Sequence, residues 1–473
     1  MKRLRSPRYR PGDFRLGTLK GAFEHRDNPN AEGEVVDFSG EGVAVAVDAG
    51  ATLFLSGDPI RRLRIYHEGD TFYDGEAVVR SVRDAGGKTV LGLSFQNAFM
   101  DMGKVYHLDL RLDLKDRFGR FFASIDALER IDDAFKAWVA DTQFMLESLR
   151  QILAQEEESI RDVDLLTRAA AEREAVDLVS AAFASQLNRK VAELNELVGG
   201  LDEDAHQLHR SYFQRHLNPF FLEAPFMGRA SRKPLRYAGD YEVMNMIYRD
   251  HREGPTLFAR VLNVFACKLT AAQACVTRAE LMTSRLAELL PSRPGARVAS
   301  FGCGPAQEIR DLIEKHPEID DYLVTLLDLE PNAIRFCEKL LLAQLREQKS
   351  RVQVRFIHES VGQLTRKAHL DRVLDTQDVI LSVGLFDYFS DRMFEEMASR
   401  LYELLRPGGH LFIGNMSPEN DSRFFMEYMA EWFLHYRTEE QLLALVAGLP
   451  AEAKRTVEVE RLGANFFLHI VKP

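Results

Sequence analysis

The sequence lacks long hydrophobic runs and is poor in cysteine. Among its 473 residues, no apolar stretch reaches the length of a membrane-spanning helix, and the N-terminus, MKRLRSPRYRPGDFR, shows no signal-peptide pattern. The four cysteines form neither a CxxC motif nor a Cys/His cluster with zinc spacing. They are Cys267, Cys275, Cys303 and Cys337. We therefore expect a cytoplasmic protein with free, mostly buried thiols, no bound metal and no stable membrane insertion.

Basic residues are fewer than acidic residues over the whole chain. The 61 Lys and Arg residues stand against 72 Asp and Glu residues, which gives a net charge of −11. A basic face with interleaved aromatic side chains, which single-stranded nucleic acid requires, is missing. The composition therefore argues against nucleic acid as a partner. The length predicts two or three domains.

Glycine is absent from residues 120 to 198 and proline from residues 60 to 218, so the middle of the chain is predicted to be helical. From Ile131 to Ile152 apolar residues recur at alternating steps of three and four, with Thr142 at the one polar position. A second apolar seam extends from Val176 to Val198. Residues 119–204 hold 9 basic and 19 acidic side chains. Two interpretations stay open for this α-helical connector: solvated acidic helices within one chain, or a coiled coil that forms a homodimer.

The two ends of the chain show different periodicities. Residues 1–118 alternate apolar and polar side chains in runs separated by glycine turns, including the hairpin signal DAGGK, and this predicts a small antiparallel β-barrel. Residues 205–473 alternate helical patterns with short apolar runs such as RVASF, LVTLLD and DVILSVG. That order is typical of a doubly wound α/β sheet of parallel strands. The C-terminal tail predicts an antiparallel hairpin at the edge of this sheet.

A glycine turn, GCGPAQ, ends the first apolar run of the C-terminal region and begins at Gly302. It lacks the third glycine of a dinucleotide fingerprint and the Gly-Lys-Ser/Thr of a P-loop. Pro305 has no N–H, which weakens the turn as a phosphate site. We therefore expect a ligand without phosphate, which the small residues allow the backbone to approach closely.

An acidic residue follows the glycine turn at an informative distance. Asp328 stands 24 residues after Gly304, at the carboxyl end of the second predicted strand. A carboxylate in this position can accept hydrogen bonds from both ribose hydroxyls of an adenosine. The third strand leads to Glu359 and Ser360, which are candidates to meet an adenine amine. The fourth leads into SVGLFDYFSD, which should line the same crevice.

These motifs, together with Asp378 at the start of the fourth strand and LLRPGGHLFI before the fifth, resemble the class I methyltransferases that use S-adenosylmethionine. The resemblance covers residues 291–473. It implies a Rossmann-like, seven-stranded and mostly parallel sheet, with S-adenosylmethionine as the cofactor. The cofactor-binding residues that it implies are Gly302, Cys303, Gly304, Asp328, Leu329, Glu359, Ser360 and Ser382.

Residues 205–290 are predicted to form a helical lid and substrate region. The segment RKPLRYAGDYEVMNMIYRD and two later helical segments resemble a bacterial methyltransferase subfamily for synthesis of 3-hydroxypalmitic acid methyl ester. Arg236 stands where the subfamily pattern has glycine. The resemblance implies a small-molecule acceptor such as a hydroxy fatty acid carboxylate.

The chemistry of methyl transfer asks little of side chains. Positioning supplies most of the rate, and a general base matters only when the acceptor carries a proton. Arg278 or Arg437 could orient a carboxylate acceptor. An amine or hydroxyl acceptor could be bound or deprotonated by Asp240, Tyr241, Asp387 or Tyr388. The predicted catalytic residues are Tyr241, Asp240, Tyr388 and Arg278.

The N-terminal pattern DxSxxG, followed by VLGLSF, resembles a PilZ domain, a receptor for cyclic di-GMP. The family adds an RxxxR motif whose arginines clamp the ligand. The first 15 residues here carry six basic side chains but no RxxxR spacing. The candidate cyclic di-GMP residues are Arg8, Arg10, Arg15, Asp37, Ser39 and Gly42.

We therefore predict a multidomain methyltransferase whose PilZ-like domain, residues 1–118, binds cyclic di-GMP and acts on the C-terminal site through the helices. The alternative is a protein without catalytic activity, in which a degenerate methyltransferase fold and the barrel bind cyclic di-GMP or a partner. An intact glycine turn and Asp328 favour the enzyme.

Overall fold

The computed structural model describes residues 8–25, 28–48, 54–359, 370 and 372–473. The chain divides into two compact units, Met1–Glu129 and Arg130–Pro473. Within the described residues, none of the helices combines the length and the apolar character that crossing a membrane requires.

The first unit is a closed barrel of six antiparallel strands followed by one long helix. The strands are β1 (Lys20–His25), β2 (Asn28–Ser39), β3 (Gly42–Asp48), β4 (Pro59–His67), β5 (Asp70–Ala85) and β6 (Lys88–Phe95), and the helix is α1 (Met102–Glu129). They close in the order β1-β2-β3-β6-β5-β4. Between β5 and β6, Gly86 and Gly87 take φ angles of 61° and 93°, which a two-residue hairpin turn of this hand requires. The predicted hairpin at DAGGK is confirmed.

The second unit begins with a helical layer. Its helices are α2 (Asp133–Ser159), α3 (Leu165–Val198), α4 (Glu203–Phe221), α5 (Pro225–Arg232), α6 (Tyr241–Tyr248), α7 (Leu257–Lys268) and α8 (Thr270–Leu289). Asp132 and Asp164 accept hydrogen bonds from the first free N–H groups of α2 and α3, which explains where these helices start.

The two apolar seams of the connector have partners within the same unit. On α2, Phe135 and Trp138 are buried, and the indole of Trp138 stacks on Phe213 of α4 with ring centroids 6.0 Å apart. On α3, Val176 and Leu187 are buried in the same core cluster as residues of α7. Most of the two seams therefore packs into the helical layer without requiring a second chain, whereas Ile152, the last residue of the first seam, is 62% exposed.

A seven-stranded sheet completes the second unit. Its elements are β7 (Ala296–Phe301), α9 (Gln307–Lys315), β8 (Tyr322–Asp328), α10 (Pro331–Gln348), β9 (Gln353–His358), β10 (Gln377–Ser382), α11 (Asp391–Glu403), β11 (Leu405–Met416), α12 (Arg423–Ala430), α13 (Glu439–Leu445), β12 (Lys454–Val459) and β13 (Asn465–Val471). The strand order is β12-β13-β11-β10-β7-β8-β9. Only β13, against β11 and β12, is paired antiparallel in this sheet.

The predicted fold class is confirmed: an N-terminal β-barrel, a helical middle and a C-terminal, mostly parallel sheet closed by a hairpin. Because β7, β8, β9 and β10 are parallel, their carboxyl ends lie at one edge of the sheet. The loops that follow these strands therefore come together, and they carry the predicted site residues.

Candidate functional site

The glycine turn after β7 adopts the backbone that its sequence predicts. Gly302 and Gly304 have φ angles of 62° and 51°, in the left-handed region that favours glycine. A Cβ at Gly302 would lie 3.1 Å from Cβ of Leu385, so a side chain there would crowd the next loop. The N–H of Cys303 donates to the carbonyl of Leu327 at 3.0 Å, which ties the turn to β8.

Asp328, at the end of β8, is bonded to the glycine turn. Its Oδ2 accepts the N–H of Gly304 at 2.9 Å and its Oδ1 accepts the N–H of Glu330 at 2.9 Å. The residue is 8% exposed. Burial raises the pKa of this carboxyl, and the two N–H groups act in the opposite direction. Each oxygen keeps a lone pair that can accept a further hydrogen bond.

A cavity of about 340 Å³ opens beside this turn, and we call it the glycine-turn cavity. Six of the predicted cofactor-binding residues line it: Gly302, Cys303, Gly304, Asp328, Leu329 and Glu359. Its size is within the range of small-ligand pockets. The lining also includes Tyr237 and Tyr241, which lie just before and at the start of α6.

A second, narrower cavity of about 60 Å³ borders the first, and we call it the apolar cavity. Its lining is rich in methionine and other apolar side chains, among them Met227, Met244, Met416, Met426, Met429, Phe226, Ile247 and Phe425. Methionine is flexible and adapts its shape to a ligand. The two cavities share five lining residues: Gly239, Met244, Arg278, Gly384 and Tyr388.

Arg278, on α8, is a buried cation at this border. It is 9% exposed, and its Nε has no hydrogen-bond partner. Its Nη2 approaches Sδ of Met244 at 4.0 Å. A Cβ at Gly384 would lie only 2.6 Å from the same nitrogen, so glycine is required for the guanidinium to occupy this place. A buried, hydrogen-bonding cation without its full set of acceptors is the arrangement expected of an anion-binding side chain.

Two tyrosines of the site are neutral at pH 7. Tyr388 is 38% exposed as a residue, but desolvation of its hydroxyl raises its pKa, as does the nearby carboxyl of Asp387. The same hydroxyl accepts the indole N–H of Trp432 at 3.0 Å. Burial also raises the pKa of Tyr241. Both side chains can therefore donate hydrogen bonds, but neither is a ready general base.

Other predicted residues lie elsewhere. Asp240 is fully buried, and its carboxylate caps the start of α6. Nε of Arg229 lies 2.9 Å from each of the two carboxylate oxygens, to which it donates a shared hydrogen bond. Ser382 is buried and donates to the carbonyl of Phe301 at 3.2 Å, outside the lining of either cavity. Ser360 lies outside the described residues.

Arg437, the second arginine considered for orienting a carboxylate, has protein partners. Its guanidinium donates to Oδ1 of Asp391 at 2.9 Å and of Asn415 at 2.7 Å, and to the carbonyl of Phe389. These contacts hold the loop after β10 against the end of β11. The structure therefore brings Arg278, and not Arg437, to the border of the two cavities.

Several lining residues carry no strong signal in the sequence. Tyr237 precedes α6 within the tyrosine-rich segment, and burial raises its pKa. Glu308, in the first turn of α9, is buried, and its Oε1 accepts a hydrogen bond from the hydroxyl of Ser300 at 3.1 Å. Burial raises the pKa of Glu308. Gly384 stands in the loop after β10, where only the position of Arg278 explains the need for glycine.

The barrel brings together part of the predicted cyclic di-GMP set. Nη1 of Arg8 lies 2.7 Å from Oδ1 of Asp37, and the hydroxyl of Ser39 donates to the carbonyl of Gly42 at 3.3 Å. Arg15 instead pairs with Asp113 of α1. The backbone N–H of Arg10 donates to a carboxylate oxygen of Asp13 at 2.6 Å.

Comparisons with known proteins identify the C-terminal fold. Residues 299–411 match the family described as methyltransferase domain. A search of curated protein sequences gives no match. The matched range contains the glycine turn, Asp328 and β10, so this part of the C-terminal sheet is similar to a methyltransferase domain. The predicted cofactor, S-adenosylmethionine, is confirmed.

Three similar solved structures are low in identity. A possible exported protein from Bordetella parapertussis is 20% identical, with 62% of this chain and 97% of that one covered and a TM-score of 0.40. An O-methyltransferase family protein from Burkholderia thailandensis is 16% identical, with 74% of this chain and 98% of that one covered and a TM-score of 0.37. Magnesium protoporphyrin IX methyltransferase from Synechocystis with bound SAH is 15% identical, with 48% of this chain and 92% of that one covered and a TM-score of 0.35.

Proposed function

We propose that the chain is an enzyme that transfers the methyl group of S-adenosylmethionine to a small-molecule acceptor bound in the apolar cavity. The observation that carries this proposal is the common border of the two cavities. Five residues line both cavities, so a methyl donor beside the glycine turn and an acceptor among the methionines would meet there. Holding two reactants in this way supplies a large part of the rate of a displacement.

The residues of the glycine-turn cavity fit S-adenosylmethionine. When bound, the cofactor supplies a methyl group on a positively charged sulfur. Asp328 has lone pairs left for the ribose hydroxyls, and the turn at Gly302 and Gly304 allows close approach of the backbone. Glu359 lines the cavity and is the candidate to accept the adenine amine.

Arg278 favours an acceptor that carries a carboxylate. Its guanidinium is buried at the border, with Nε unsatisfied, and a carboxylate is the group that a guanidinium binds bidentately. The methionine-rich lining is apolar and adaptable, and from its volume of about 60 Å³ the cavity would have to widen to admit an apolar tail. We therefore propose a hydroxy fatty acid carboxylate as the acceptor and its methyl ester as the product.

The protonation of the site favours the same class of acceptor. A carboxylate carries no proton at neutral pH, so it needs no general base from the chain. Tyr241 and Tyr388 are protonated, and Asp240 is occupied by Arg229 and the start of α6. A hydroxyl acceptor is the second candidate. It would have to use Asp387, whose carboxyl lines the apolar cavity and has its pKa raised by burial.

The test is transfer of a labelled methyl group from S-adenosylmethionine to three molecules of equal chain length: a hydroxy fatty acid, the corresponding alcohol and the fatty acid methyl ester. We expect label in the acid alone, as a methyl ester from which alkaline hydrolysis releases the label as methanol. Arg278→Gln should abolish transfer to the acid, whereas Arg335→Gln, an exposed arginine on α10, should leave it intact. Transfer to the alcohol would favour the Asp387 alternative. Donor binding without transfer to any acceptor tried would favour the non-catalytic alternative.

We further propose that the protein is cytoplasmic and that its barrel is a PilZ-like domain. In this proposal the barrel binds cyclic di-GMP. The ion pair of Arg8 with Asp37 supports it, because it brings one basic side chain to the DxSxxG segment. Titration calorimetry with cyclic di-GMP should detect binding that Asp37→Ala removes. Equal heats for the wild type and the variant would remove this ligand from the proposal.

A further inference from the structure

The second half of α1 exposes a regular apolar stripe that the proposed function does not use. Its members are Leu114, Phe118, Phe121, Ile125 and Leu128, which are 38–56% exposed. Successive members are separated by alternating steps of four and three residues. Such spacing is the a/d pattern of a coiled coil, in which each side chain fits between four side chains of a neighbouring helix.

The first half of α1 has a different environment. Val105 and Leu108 are buried in the core of the barrel. Beyond Asp113, every side chain of α1 that the structure describes is exposed. An isolated helical segment of this length is marginal in water, because most helical stability comes from packing an apolar face. A helix that continues for about four turns past its last buried side chain, that of Asp113, therefore presents an apolar surface on which a partner can pack.

We propose that this partner is a second copy of the chain, whose α1 packs on the same stripe to form a homodimer. A heptad seam is complementary to a copy of itself, and a twofold dimer needs only one such surface. The charge of the helix argues against a membrane surface as the alternative. Four basic and four acidic residues balance between Leu110 and Glu129, whereas helices that lie on lipid are rich in Lys and Arg.

The size of the stripe sets the expected strength of the dimer. Leu110 and Phe122 flank the heptad positions and are 56% and 58% exposed. Aromatic side chains bury roughly 150–250 Å² each and Leu and Ile bury less, so these seven side chains at about half exposure would remove on the order of 1,000 Å² from water over the two copies. This is near the lower limit for a specific interface, so the dimer should dissociate on dilution.

The test is sedimentation equilibrium of the full chain over about a hundredfold range of concentration. We expect the average mass to rise from 53.9 kDa toward twice that value. In the double variant Phe118→Glu/Ile125→Glu, two charges enter the seam, and the dissociation constant should rise about tenfold or more. The matched control is Phe144→Glu/Leu178→Glu, which changes two exposed apolar residues of α2 and α3 and should behave as the wild type.

Three results would overturn the proposal: a wild-type chain that stays monomeric at every concentration, an α1 variant that dimerises as the wild type does, or a control that dissociates as readily as the α1 variant. The last result would place the contact on α2 and α3 instead. Circular dichroism and S-adenosylmethionine binding verify that each variant is folded, because the substituted side chains are exposed and lie outside both cavities.

Discussion

The backbone N–H of Gly304 donates to Oδ2 of Asp328 at 2.9 Å, so the two sequence features of the cofactor site, 24 residues apart, form one hydrogen-bonded unit. The carboxylate is oriented by the turn that stands beside it. It is also buried, which makes its remaining hydrogen-bonding capacity valuable to a ligand that can use it.

The two glycines of this turn should respond differently to substitution. In Gly304→Ala, the new methyl group meets no atom within 4 Å, and only the left-handed backbone, with φ of 51°, is strained. A cost of about 1 kcal/mol, which corresponds to about fivefold in S-adenosylmethionine affinity, is expected. In Gly302→Val the side chain would also press on Leu385, and the loss should be larger. Titration calorimetry of both variants measures the difference. Equal losses would contradict the crowding argument.

Gly384→Ala tests the position of Arg278. A Cβ would lie 2.6 Å from Nη2, so the guanidinium must move from the border of the cavities. We expect the KM of a carboxylate acceptor to rise at least about tenfold, since a charged hydrogen bond is worth about 1.5–3 kcal/mol, while S-adenosylmethionine affinity changes little. Gly448→Ala, at an open position, is the control. An unchanged acceptor KM in Gly384→Ala would remove Arg278 from acceptor binding.

Acid should destabilise the sheet through His410. Its Nδ1 lies 2.9 Å from Nε2 of His469, and burial, with the charges of His469 and Arg293, lowers its pKa from 6.5 to about 4. The folded state therefore binds fewer protons than the unfolded state. This contribution to stability is full above pH 6.5 and is lost as the pH falls toward about 4.

The corresponding measurement is the free energy of unfolding in denaturant between pH 7 and pH 4.5. The wild type should lose about 1–3 kcal/mol more than His410→Gln over this range, because a shift of one pKa unit corresponds to 1.36 kcal/mol and His410 is only partly buried. Buried acids such as Glu308 act in the opposite direction in both proteins, so the comparison with the variant isolates the histidine. Parallel pH profiles would contradict the assignment.

The helical layer should depend strongly on the aromatic core that joins α2 and α4. Phe213 is fully buried between Trp138 and Phe221, and Phe213→Ala should cost about 3–5 kcal/mol of unfolding free energy. Phe144→Ala removes an aromatic ring of α2 that is 74% exposed and should cost less than about 0.5 kcal/mol. Denaturant titration distinguishes the two. Similar losses would mean that the seam of α2 is not packed as described.

Much of the cofactor site is local in sequence, and this explains why it could be predicted. The glycine turn and Asp328 each follow a strand, and parallel strands bring their ends to one edge. The apolar cavity could not be predicted in the same way. Its lining extends from Phe226 to Leu434 and includes parts of α5, α6, α7, α8 and α12, which only tertiary packing brings together.

Asp240 illustrates the limit of composition as a guide to chemistry. Its segment, rich in Tyr, Asp and Arg, predicts a catalytic role for it. The structure uses it to cap α6 and to bind Arg229. An aspartate directly before a helical apolar pattern is also the usual signal for a helix start, and that local reading gives its structural role. The partners of the two connector seams, in contrast, required the three-dimensional arrangement of α4 and α7.

The central claim, that the glycine turn and Asp328 hold S-adenosylmethionine, is tested most directly by titration calorimetry with that ligand. The wild type and Asp141→Ala, an exposed aspartate on α2, should bind equally. Asp328→Ala should lose at least about tenfold in affinity, because hydrogen bonds to a charged group are worth about 1.5–3 kcal/mol each. Asp328→Asn, which keeps the size and one oxygen, should fall between them. No binding by the wild type, or equal binding by Asp328→Ala in a folded protein, would contradict the account.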